Sequence, residues 1–215
     1  MSMDQNRQAT GADQRTLLAA IRAGMDHAAY RALFHQVVHA HGTTGADQSE
    51  ELVAYTKLNQ ARMHRNEKTV KLLPETLKAL QDAPAMTWLV LTEAWCGDSS
   101  QVLPVIDLMA EASPRIELRI LLRDEHLGLM DRYLIHGGRS IPKLIAVDPL
   151  GKELFTWGPR PTAPQEMVWA NKALPPADQL PKEAIYAKVH AWYAADKGKE
   201  VQREIATLLR EHNAN

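Results

Sequence analysis

The chain has 215 residues, with 25 Lys and Arg against 26 Asp and Glu and a formal net charge of -1. Hydrophobic residues make up 45% and charged residues 24%. That is the composition of a soluble globular protein; it excludes wholesale disorder and gives no electrostatic reason to bind nucleic acid.

Residues 1–13 read as a polar, mobile tail without an apolar signal-peptide core. No apolar run nears the roughly 20 residues of a bilayer span. The expectation is therefore a cytoplasmic chain with no membrane partner. From Asp13 to His41, Leu17, Leu18, Ile21, Met25, Tyr30, Leu33, Phe34 and Val37 recur at helical spacing, with a possible break between Gly24 and His27. His41 to Gly45 is a turn. A second helix is predicted from about Asp47 to Leu73, ended or kinked by Pro74, with a further short helix over Glu75 to Gln81. This front part has no strand candidate.

The pattern changes at Ala85. Met86 to Thr92 is a compact apolar run of buried-strand type, and Arg115 to Leu121 alternates as a half-buried strand does. Lys143 to Val147 and Glu153 to Trp157 form a hairpin about Asp148-Pro149-Leu150-Gly151. Helices are predicted over Asp98 to Ala112 (with Pro104 inside), His126 to Ile135, Pro164 to Leu174 and Pro181 to Glu211. In the last, Ile185, Val189, Trp192 and Tyr193 recur at helical spacing, by default a core face and otherwise a dimer seam. The order from Ala85 is β-α-β-α-β-β-α. The expected organisation is a tail (1–13), a helical N-terminal extension (14–81) and an α/β domain with C-terminal helices (82–215).

There is one cysteine, Cys96. No intrachain disulfide can form, and a cysteine-rich structural zinc site is excluded. Trp95-Cys96-Gly97-Asp98-Ser99 sits where the first strand hands over to a helix. A thiolate there meets unpaired backbone N–H groups and the positive end of the helix dipole. That effect can bring a thiol from about 8.5 towards 7. Asp98, two residues on, opposes it, and the sign of the net shift stays open.

At this motif the chain resembles the thioredoxin-like proteins, whose active-site stretch is Trp-Cys-Gly-Pro-Cys. Pro104 stands eight residues after Cys96, where that family has its helix-kinking proline. Ser140-Ile141-Pro142 precedes a strand, where the family has a cis proline beside the active site. More narrowly, the chain is similar to a bacterial group with a helical N-terminal extension and a Trp-Cys-Gly-Asp motif. The resemblance covers about residues 82–175. It implies a thioredoxin-like fold: a central mixed sheet of about four strands flanked by helices. It also implies a site with Cys96 and Ser99 in the catalytic positions and Trp95, Gly97, Asp98, Ile141 and Pro142 against substrate. The partner would be a thiol-containing protein or glutathione, with no cofactor and no metal.

Three departures narrow the chemistry. Ser99 replaces the resolving cysteine, so a mixed disulfide cannot be resolved within one chain. Asp98 replaces the intervening proline, and Val90 stands where thioredoxins carry a buried acid. What remains is one-thiol (CxxS) exchange at Cys96, or oxidation of its sulfur. The alternative is a redox-inactive binding or scaffold module on the same fold. Ser99 either hydrogen-bonds the thiolate or caps the helix; Trp95 is either a substrate surface or a partly buried lid.

Other clusters have plainer readings. His35 and His39 have the spacing of a zinc-protease helix, but Gln36 stands where the general-base Glu must be. His27, Arg31, His35 and His39 read as one polar, solvated face. Lys57, Arg62, Arg65, Lys68 and Lys71, opposed only by Glu67, either form a solvated face or receive an anionic partner such as the carboxylates of glutathione. The latter would suit a glutathione-linked transferase or peroxidase-like enzyme. Trp157 to Pro161 is a rigid turn, with Arg160 a possible ligand contact.

Overall fold

The computed structural model describes residues 11–213; the expected tail lies outside the described residues as far as residue 10. The chain begins with α1 (Gly11–Ala23), α2 (His27–His39), α3 (Glu50–Thr69) and α4 (Pro74–Asp82). Then come β1 (Met86–Thr92), α5 (Gly97–Glu111), β2 (Ile116–Leu122), α6 (Leu127–Met130), β3 (Lys143–Val147) and β4 (Glu153–Trp157). α7 (Thr162–Ala173), α8 (Lys182–Asp196) and α9 (Lys199–Asn213) complete it. The strands form one sheet in the order β2-β1-β3-β4. β1 is parallel to β2 and antiparallel to β3, and β3 is antiparallel to β4. This is the expected α/β architecture.

Alternation along the strands divides the core between the two sheet faces. Trp88, Val90, Leu118, Ile120, Leu144 and Ala146 face one side. There they meet Tyr30 and Phe34 of α2, Met63 of α3, Leu80 of α4, Leu103 and Ile106 of α5, and Ile205 and Leu209 of α9. Leu89, Leu91, Leu121, Ile145 and Val147 face the other side, covered by Leu17 of α1 and by Leu129, Met130 and Tyr133. The helical front therefore contributes to both faces of the sheet.

It crosses between them at Gly24–Asp26. Met25 and Ile120 exchange backbone hydrogen bonds of 2.9 and 2.8 Å, which covers the open edge of β2. That pairing is the physical reason for the break in the helical pattern. Asp26 then caps α2, its carboxylate accepting from the Ala29 amide at 2.7 Å.

Several predicted boundaries change. α3 ends at Thr69, and Val70 to Leu73 is extended before Pro74, which opens α4 at its first turn. Pro74 thus starts a helix, where its missing N–H costs nothing, and does not stop one. The helix expected from His126 to Ile135 shrinks to Leu127–Met130. Beyond it His136 and Gly137 take positive φ, and Ile135 pairs with Gly138. The helix expected over Pro181 to Glu211 is two helices. Lys197 (φ 58) and Gly198 (φ 75) are left-handed and end α8. A Cβ at Gly198 would also lie 2.7 Å from Val105 Cγ2, so the turn is seated directly on α5.

The polar face expected on α2 is only half solvated. His27 reaches Asp107 of α5 at 2.6 Å, and Arg31 pairs with Glu67 of α3; His35 and His39 are exposed. Among the described residues no helix is long and apolar enough to cross a membrane, and no cluster of three or more His, Cys, Asp or Glu could hold a metal ion.

Candidate functional site

β1 runs out at Thr92, and the buried Glu93 and Ala94 carry the chain to Trp95 and to the start of α5. Cys96 itself is the N-cap of α5, with extended φ and ψ of -77° and 114°. Its Sγ accepts from the Ser99 amide at 3.5 Å and donates to the Ile141 carbonyl at 3.4 Å. The Ile141–Pro142 peptide bond is cis. Ser99 therefore does not cap the helix. Its amide meets the sulfur, and its hydroxyl is buried.

Cys96 is 7% exposed. Burial first, and the Asp98 charge second, push its thiol up to about 11, against the opposing effects of the Ser99 hydroxyl and the Ser99 and Asp98 amides. Desolvation thus outweighs the helix-end effect, and the group at neutral pH is a thiol whose proton points at the Ile141 carbonyl.

Asp98 is buried, and both its oxygens are engaged. One accepts from Arg160 at 2.7 Å, the other from the Tyr193 hydroxyl at 3.1 Å. Burial pushes its carboxyl up; Arg160 and Tyr193 work against that. Arg160 also donates to Gln165 Oε1 at 3.1 Å and lies 5.8 Å from the Tyr186 ring. The turn after β4 and the middle of α8 are thereby tied to the first turn of α5.

Helix α3 forms the opposite wall. Asn59 donates to the Ala94 carbonyl at 3.0 Å and accepts from Arg62 Nη1 at 2.8 Å and from Ser100 Oγ at 3.3 Å. Asn66 and Arg65 donate to Gln101 Oε1 at 2.9 and 3.0 Å. Of the predicted basic stretch, Arg62 is part-buried beside the site and Arg65 is bound to α5. Lys57, Lys68 and Lys71 are exposed.

These elements enclose a cleft of about 430 Å³ whose lining includes Arg62, Trp95, Cys96, Ile141, Tyr186 and His190. The volume suits a small molecule or the side chains of a docked segment. Trp95 is a half-buried wall, with the Arg123 guanidinium 4.8 Å from its ring centroid. Gly97 and Asp98 also line the cleft, whereas Ser99 and Pro142 do not. The Glu93 carboxylate accepts from the Asp124 amide at 2.8 Å, and burial pushes it up.

Sequence reasoning missed His190 and Tyr193 as site residues. Tyr186, His190 and Tyr193 lie four and three apart on α8, so one polar stripe at helical spacing carried the signal. It was masked by Ile185 and Val189, which sit beside it and are buried.

A four-stranded mixed sheet, a cysteine at the start of the helix after its first strand and an Ile-cis-Pro opposite define a thioredoxin-like protein with a single thiol. The family model described as thioredoxin matches residues 45–179, and the chain belongs to that family. The match begins ahead of α3 and so takes in the helix that walls the cleft. A protein of unknown function from Pseudomonas aeruginosa is 19% identical, with a TM-score of 0.60 over 89% of this chain and 95% of that one. An HIV epitope-scaffold is 18% identical, with a TM-score of 0.58 over 90% of this chain and 97% of its own. At such identities the likeness is one of fold. No curated protein matches.

Proposed function

We propose that this is a monothiol exchange protein acting through Cys96 on a thiol or disulfide held in the cleft. The observation that supports it most is the place of Sγ: at the N-cap of α5, against the Ile141 carbonyl, in the wall of an open cleft. The Cys96 thiolate attacks a disulfide R–S–S–R′, forming Cys96–S–S–R and expelling R′–S⁻, which takes up a proton. Ser99 cannot attack the new bond, so a second thiol from outside releases Cys96 and leaves as the disulfide R–S–S–R″. The partner is glutathione or a protein thiol, and the single cysteine suits a reducing compartment such as the cytoplasm. The helical front, residues 14–81, is in this reading an extension that builds one wall of the site.

The raised thiol sets the pace. A group at about 11 presents about 300-fold less thiolate at pH 7 than one at about 8.5. Its greater intrinsic nucleophilicity returns about tenfold of that. Exchange is therefore expected to be at least about twentyfold slower than for a free cysteine. Oxidised glutathione should give a mixed disulfide on Cys96, visible by intact-mass spectrometry and removed by dithiothreitol. A protein that stays unmodified through overnight incubation at pH 8.5 would contradict the reading.

The second reading, a binding module that has kept the fold without the chemistry, is favoured by the burial of Sγ. It predicts that unmodified outcome together with ligand binding in the cleft.

A further inference from the structure

Two nitrogens converge over the first residue of α5. A Cβ on Gly97 would lie 3.0 Å from His190 Nε2 and 3.4 Å from Arg62 Nη1. The absent side chain is what lets both approach. Their chemistry is fixed by neighbours. Gln101 Oε1 accepts from Asn66 and Arg65, so its amide nitrogen is the group that meets His190 Nδ1, at 3.2 Å. Nδ1 is then the acceptor, and the proton sits on Nε2. Burial, with Arg62 next, pushes His190 down to about 4, so the ring is neutral and donates through Nε2–H.

Arg62 is unusual among the cations of this cleft. Arg160, Arg123, Arg139 and Lys182 pair with Asp98, Asp124, Asp131 and Glu51 respectively. Among the described residues no carboxylate pairs with Arg62; it donates to the neutral Asn59 at 2.8 Å. Burial and the adjacent Arg65 push the guanidinium down, against the smaller opposing effects of Tyr55 and the Asp98 charge. A planar carboxylate meets a guanidinium in two parallel hydrogen bonds, and the start of α5 adds a favourable dipole. The rest of the cleft is largely apolar, and Trp95, Cys96, Ile141 and Tyr186 share its lining with Arg62 and His190.

We infer that Arg62 and His190 Nε2–H form a carboxylate subsite, and that the cleft takes a small thiol or disulfide whose free carboxylate is held there while its sulfur meets Cys96. This rests on the exchange reading for the role of the sulfur. The carboxylate subsite is tested apart from it by a probe that cannot exchange.

The probe is S-methylglutathione, titrated into the full chain by calorimetry at low salt. Saturable binding is expected, with a Kd raised at least tenfold by Arg62→Gln and by less in Arg62→Lys. The probe's diethyl ester should bind at least tenfold more weakly than the free acid. The His190 ring resonances should shift on titration in the native chain. Absence of saturable binding, or equal affinity for the ester or by the Arg62→Gln protein at unchanged thermal stability, would overturn the inference. Binding without mixed-disulfide formation would remove the exchange reading and leave the subsite standing; the reverse pair of results would remove the subsite alone.

Discussion

Asp98→Asn is expected to destabilise the protein by about 3–5 kcal/mol, the usual cost of removing one partner from a buried ion pair. Arg160 would keep its charge within a side chain only 12% exposed, with Nε already unpartnered, and Tyr193 would lose its charged acceptor. Urea unfolding measures the loss. The double variant Asp98→Asn/Arg160→Met removes both charges and should recover much of it. The same single change should speed alkylation of Cys96 at pH 8 severalfold. The Asp98 charge is the second cause of the raised thiol, and Arg160 would be left uncompensated nearby. Unchanged stability together with an unchanged alkylation rate would show that the Asp98–Arg160 pair neither braces the site nor governs its sulfur.

Gly158→Ala is the other change with a large expected effect. Gly158 has φ +111, and a Cβ there would lie 2.3 Å from the Pro142 carbonyl oxygen and 3.6 Å from Lys143 Cα. These are backbone atoms at the start of β3, so relief requires the β3–β4 hairpin to shift. Strained φ and the overlap together should cost at least about 3 kcal/mol. For a chain of this size that is a fall in Tm of roughly 6–12 °C. The shift would also carry the Ile141 carbonyl away from Sγ, since residues 141 and 142 are bonded. A melting temperature within a degree or two of the native chain would contradict this placement.

Legibility in the sequence followed locality. Strands β1 to β4 were visible because alternation and short apolar runs are properties of neighbouring residues. The cysteine-bearing helix start was visible because the Trp95–Ser99 stretch, Pro104 and Ile141-Pro142 fall in register. The break at Gly24–Asp26 was hinted at locally, but its cause, pairing of Met25 with Ile120, spans most of the fold. Likewise Gly198 is an ordinary helix-stop residue, yet the apolar spacing of the flanking helices overrode it.

The site was half legible for the same reason. Cys96, Trp95, Gly97 and Asp98 are contiguous. Arg62, Arg160, His190 and Tyr193 come from three distant segments, and only packing brings them to the first turn of α5. The direction of the Cys96 shift was illegible too. It is decided by how much water the cleft walls exclude from Sγ, which no local spacing reveals, and by the orientation of Asp98.

The rate of Cys96 alkylation by iodoacetamide as a function of pH tests the central claim most directly, because Cys96 is the one thiol in the chain. A sulfur held as a buried thiol beside Asp98 should react slowly, with a rate that climbs about tenfold per pH unit up to an inflexion near 11. An inflexion at or below about 8.5, with a rate matching a free cysteine, would mean that the sulfur stands open to solvent and that burial and Asp98 do not control it.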